Sequence, residues 1–132
     1  MNANRIVFPL LALLMGAISI ATLEAKEKYK IKPVEIPDGL SAEGAMSSIV
    51  SAAIGRRWNI VKKKDDQVII NLNHRGYDST LTLKIEDSKI NITSDSWTVN
   101  KRGEKKKKKD PVGWIENLRK DIVVFMNREL YQ

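Results

Sequence analysis

Hydrophobic positions change their period along the chain, and each change marks a different element. After a single positive side chain, Arg5, an almost unbroken apolar run extends from Ile6 to Ile20 and gives way to small residues. A basic start, an apolar centre and small residues at the cut are the layout of a secretory signal peptide. Ser19-Ile20-Ala21 and Leu23-Glu24-Ala25 are its two cleavage candidates, so residues 1–25 are expected to be the leader. A bilayer span needs about 20 apolar residues; the stretch from Ile6 to Leu23 comes close, and an uncleaved inner-membrane anchor is the alternative. From 26 to 39 lysines alternate with other residues around Pro33 and Pro37, which reads as an extended tether. The remaining residues, 40–132, are expected to form one domain.

Within that domain Met46, Ile49, Val50, Ala53 and Ile54 share one face at helical spacing. Ser41 is placed to cap this helix, and Gly55 to end it in the left-handed region. The period then becomes two. Trp58 and Ile60 share a face, as do Val68, Ile70 and Leu72, then Leu81, Leu83 and Ile85, then Ile90 and Ile92. Turn residues separate the runs at Asp65-Asp66, at Arg75 to Asp78 and at Asp87-Ser88. This predicts an antiparallel meander with one apolar face. Val99 to Pro111 has no apolar pattern and reads as a charged loop. Asp110-Pro111 then supplies a cap and a first turn for a last helix striped by Ile115, Leu118, Ile122, Phe125 and Met126. The expected fold is α+β and two-layered: a helix, a four-stranded antiparallel meander and a helix, with both helices on one face of the sheet.

Charge changes the picture more than composition does. The 132 residues are 42% hydrophobic and 30% charged, suited to one soluble domain, and the formal net charge is +7. Cleavage after Ala25 removes Arg5 and Glu24 together, so the exported part keeps the whole +7. Export turns the expected partner away from nucleic acid. Anionic lipid, lipopolysaccharide and acidic cell-wall polymer, or an acidic envelope protein, take its place. The absence of cysteine excludes disulfides, thiolate metal sites, a thiol nucleophile and a lipid-modified cysteine.

The segments "RRWNIV", "NHRGYDSTLTLKI", "SDSW" and "WIENLRKDI" resemble a group of small, uncharacterised periplasmic proteins and lipoproteins of the bacterial envelope. The resemblance covers about Ser41 to Leu130. It implies an envelope location and an α+β fold, and it brings no reaction, cofactor or catalytic residue with it. The missing lipobox cysteine implies a free periplasmic protein.

Candidate chemistry is sparse. His74 is the sole histidine and has no second imidazole to complete a zinc set. Ser94 and Ser96 face opposite to Asp95 under strand alternation, and no glycine elbow surrounds them. Instead, "SDSW" reads as the point where the sheet face turns from apolar to polar. No metal, cofactor or catalytic pattern emerges, and a non-enzymatic binding module is expected. Its candidate anion-binding residues are Lys101, Arg102, Lys105, Lys106, Lys107, Lys108 and Lys109. Trp97, out of phase with Ile90 and Ile92, is a candidate surface platform. A structural adaptor, docking to another envelope protein by its sheet face or edge, is the alternative.

Overall fold

Residues 28–132 are described by a computed structural model; the expected leader at 1–25 lies outside the described residues. The chain divides at Lys30, and all that follows concerns Ile31–Gln132. Its elements, in order, are β1 (Val34–Glu35), α1 (Ala42–Gly55), β2 (Asn59–Lys63), β3 (Gln67–His74), β4 (Tyr77–Glu86), β5 (Lys89–Val99), β6 (Lys105–Lys108) and α2 (Val112–Leu130). The architecture is α+β, a six-stranded antiparallel sheet with two helices.

The four strands predicted from alternation are β2 to β5, paired in chain order. The sheet has six strands because two short ones share the outer flank of β5. β1 pairs with its first residues through Val34 opposite Ile90, and β6 pairs with its last through Trp97 opposite Lys108. Within the segment read as a tether, Val34 and Glu35 are therefore a strand of the sheet. Arg119 of α2 fastens it further, donating to the carbonyls of Lys32 and Pro33.

Two hairpin turns carry the meander. Arg75 and Gly76 both have positive φ between β3 and β4, and Asp87 and Ser88 do so between β4 and β5. Two consecutive residues of that kind form the turn whose twist matches paired strands. Pairing then runs without interruption from Gln67 opposite Lys84 to His74 opposite Tyr77, and from Tyr77 opposite Thr98 to Glu86 opposite Lys89. Side-chain alternation puts Val68, Ile70, Leu81, Leu83, Ile90 and Ile92 on one face, all buried. They form a core with Ala45, Met46, Ile49, Ala52 and Ala53 of α1 and Ile115, Leu118, Ile122 and Met126 of α2. Each fully buried aliphatic side chain of this kind contributes about 1.5–3 kcal/mol. On the other face, no residue of β3, β4 or β5 is buried.

Both helix starts and one helix end show how local chemistry is settled. Ser41 caps α1, its hydroxyl accepting from the Gly44 amide at 2.9 Å. The end of α1 differs from expectation. Gly55 is still helical, and the left-handed residue is Arg57, at φ 69°. The Trp58 amide reaches the Ala53 carbonyl and the Arg57 amide that of Ile54, the paired bonds of a helix stop that ordinarily has glycine in Arg57's place. Asp110 does not cap α2, whose first turn has no side-chain cap. Its carboxylate accepts instead from the Ser94 hydroxyl at 2.7 Å, tying the segment before α2 to the sheet.

Candidate anion-binding site

The lysine run is not a loop. Lys105–Lys108 form β6, the return strand of a hairpin with β5, and every residue from Lys101 to Lys109 is exposed. The turn is built by Asn100, whose side-chain oxygen accepts from the amides of Arg102 and Glu104, each at 2.9 Å. Gly103 takes φ 83° to close it, and Glu104 accepts the Asn100 side-chain amide at 2.7 Å. Neighbouring like charges repel one another. An edge strand relieves that repulsion by sending neighbouring lysines to opposite faces, and charged side chains are common on such edges.

A register shift decides which lysines meet Trp97. Thr98 faces Lys107 and Val99 faces Lys105, so Lys106 is an extra residue in β6. A bulge of this type cancels one step of the alternation. Lys105 and Lys108, three residues apart, thereby arrive on the same face as Trp97. Both ammonium groups sit 5.5 Å from the centre of its ring, within the range of cation–π attraction.

Asp95 completes the cluster. Its carboxylate accepts from the Trp97 indole N–H at 2.8 Å and from Lys108 at 3.5 Å. The indole hydrogen bond holds this carboxyl below the usual carboxylate range, against an opposing desolvation and with lesser help from Lys108 and Lys105. The result is an indole fixed at its nitrogen, on the face of the sheet without buried residues, and in contact with two cations. Lys106, Lys107 and Lys109 make no side-chain hydrogen bond, ion pair or ring contact among the described residues, so their charges remain available to a ligand. Lys101 is likewise unpaired, while Arg102 lies 4.0 Å from Glu104.

A second basic group, Arg56, Arg57 and Lys62 to Lys64, does not join this one. Lys62 and Lys63 lie on β2, and β3, β4 and β5 separate that strand from β6. Arg56 is held by Asp121 at 2.7 Å, which raises its already high pKa through that hydrogen bond and the opposite charge.

The serines form a chain rather than a nucleophile and base. Ser79 and Ser96 hydroxyls are 2.6 Å apart, Ser96 and Ser94 are 2.7 Å apart, and Ser94 donates to Asp110. Ser79 and Ser96 are fully buried, so each hydroxyl satisfies another where water does not reach. His74 is exposed and stacks at a tilt of 32° on Trp114, 6.1 Å away, with no hydrogen bond to these serines. Among the described residues no cluster of three metal-ligating side chains occurs, and no helix is long and apolar enough to cross a membrane.

Two features of the site escaped the sequence reading: the strand character of the lysines and the bulge at Lys106. Asn100 and Gly103, a turn pair directly after a strand, are the signal that could have exposed the hairpin. No known protein family, curated protein or solved structure matches the chain.

Proposed function

We propose that this is an exported, non-enzymatic binding module of the bacterial cell envelope, of the kind its short motifs resemble, and that it engages anionic membrane surfaces through β6 and Trp97. In this reading both helices cover the apolar face of the sheet, and the opposite face is left to meet the ligand. The observation that carries it is Trp97 held on that face between Lys105 and Lys108. An indole with a bound N–H suits the headgroup level of a bilayer, where one side is apolar and the other wet. Lysines near an anionic surface contribute about 1 kcal/mol each, and Lys106, Lys107 and Lys109 are free to do so. Headgroup phosphates of anionic lipid or lipopolysaccharide fit this arrangement, because the indole also suits the headgroup level of the membrane that carries them.

The test is sedimentation with vesicles of phosphatidylglycerol or of phosphatidylcholine, at low and high salt. Binding is expected only to the anionic vesicles and only at low salt, and changing Lys105 to Lys109 to glutamine should abolish it. Equal binding to both vesicle types, or binding unaffected by those substitutions, would sink the proposal.

One observation favours a second reading, docking to another envelope protein. β2 is the opposite edge of the sheet, and its Val61 is 60% exposed at the irregularity between Ile60 and Lys62. A bare edge with an apolar side chain suits strand addition, which the lysine edge discourages. In that case Val61→Lys would abolish co-purification with one envelope protein and leave vesicle binding unchanged.

A further inference from the structure

At the end of the sheet where α1 hands over to β2, a cavity of about 320 Å³ opens between Trp58, Leu72, His74 and Trp114. Three elements build its aromatic wall. Trp58 follows α1 and is 3% exposed, His74 ends β3, and Trp114 lies in the first turn of α2. The two indoles meet edge to face, with ring centres 6.4 Å apart at 89°. Tyr77 supports Trp114 from behind at 5.5 Å. These contacts fix the rings as a preformed wall, and the cavity volume lies in the range that takes a small organic molecule.

The mouth is polar. Arg57, Asn73, His74 and Asn117 border the cavity, and none of these side chains has a hydrogen-bond or ionic partner among the described residues. Arg56, also at the rim, is already neutralised by Asp121. Arg57 therefore leaves one uncompensated positive charge beside a cluster of amide and imidazole groups able to donate hydrogen bonds.

Arg57 also stands in a left-handed conformation that only glycine adopts without strain. Glycine would serve the helix stop better, so the stop itself does not require arginine. Strained residues held beside a cavity are frequent at ligand sites. We infer that this cavity binds a small organic anion, with a flat apolar body against Trp58 and Trp114 and a carboxylate or similar oxyanion head at Arg57. The site is separate from β6, which lies at the opposite edge of the sheet, and it does not depend on the membrane reading.

Equilibrium dialysis of the full chain against 2-naphthoate, with 2-naphthalenemethanol as the neutral body of the same shape, tests the assignment. Naphthoate should bind at least tenfold more tightly than the alcohol. Arg57→Gly should abolish that preference while leaving the thermal midpoint unchanged or higher, which separates lost binding from lost folding. Three results would overturn the inference: no binding of naphthoate, equal binding of acid and alcohol, or full binding by Arg57→Gly. Loss of naphthoate binding when Lys105 to Lys109 become glutamine would also overturn it, by moving the anion to β6.

Discussion

The two basic regions sit on opposite edges of one sheet and do different things with their charge. On the β6 edge consecutive lysines are spread along an exposed strand, with one indole in cation–π contact with two of them. At the start of β2 two adjacent arginines border a concave aromatic cavity, and one of them is already paired. Charge spread along an exposed strand suits an extended anionic surface, and its attraction weakens steeply with salt. A single unpaired guanidinium over an aromatic wall suits one small anion, whose binding is set by shape as well as by charge. Counting lysines and arginines would class the two regions together; the backbone that carries them sets them apart.

That contrast can be broken in several ways. The largest effect should come from β6. At about 1 kcal/mol for each of its three unpaired lysines, replacing Lys106, Lys107 and Lys109 with glutamine should weaken binding to anionic vesicles by roughly a hundredfold, measured by sedimentation at low salt. The same three changes should leave the preference for naphthoate over its alcohol as it was.

Next in size is the serine chain, which runs from β4 through β5 to the segment before α2. Ser96→Ala strands the Ser79 hydroxyl in the core, and a buried hydroxyl without a partner costs about 1–3 kcal/mol. Denaturant unfolding should show that loss. Replacing Ser79 and Ser96 together with alanine should cost less than the sum of the two single changes, because no orphaned hydroxyl remains between them.

At the opposite edge the sign reverses. Arg57→Gly removes left-handed strain and should stabilise the fold by about 1 kcal/mol, read by the same denaturant curves. A destabilised variant would mean that the arginine side chain packs against the fold, and the ligand argument would lose its strain component.

The smallest effect is a titration. Because Asp95 is held below the usual carboxylate range by the Trp97 N–H and the lysines, its contribution is present above the ordinary carboxylate pKa, about 3.9. It is lost as pH falls through the lower folded value. Tryptophan emission should therefore change in acid below about pH 4, and Asp95→Asn should remove that step. A step that persists in Asp95→Asn belongs to another carboxylate.

Much of this fold is legible from periodicity. Ser41 opens α1 where the sequence places it, and the buried faces of β3, β4 and β5 are those that alternation selects, because a two-residue period has only one way to sit on a core. What escapes has a common cause. β6 has no buried face, so it needs no alternation, and only the turn at Asn100 and Gly103 betrays it. Asp110 looks like a helix cap because its true partner, Ser94, lies 16 residues away. Gly55 draws attention as a helix stop, although the chain continues to Arg57 before it reverses. The cavity is less visible still: Trp58, His74 and Trp114 come from three elements, and nothing local in the sequence announces that they meet.

The central claim is that Trp97 and its lysines face an anionic membrane. The most direct measurement is tryptophan emission on adding phosphatidylglycerol vesicles at low salt, compared between the protein and its Trp97→Phe variant. The parent protein should show a blue shift that high salt reverses and that is absent in the variant. An equal shift in both proteins, or vesicle binding with no change in emission, would contradict it.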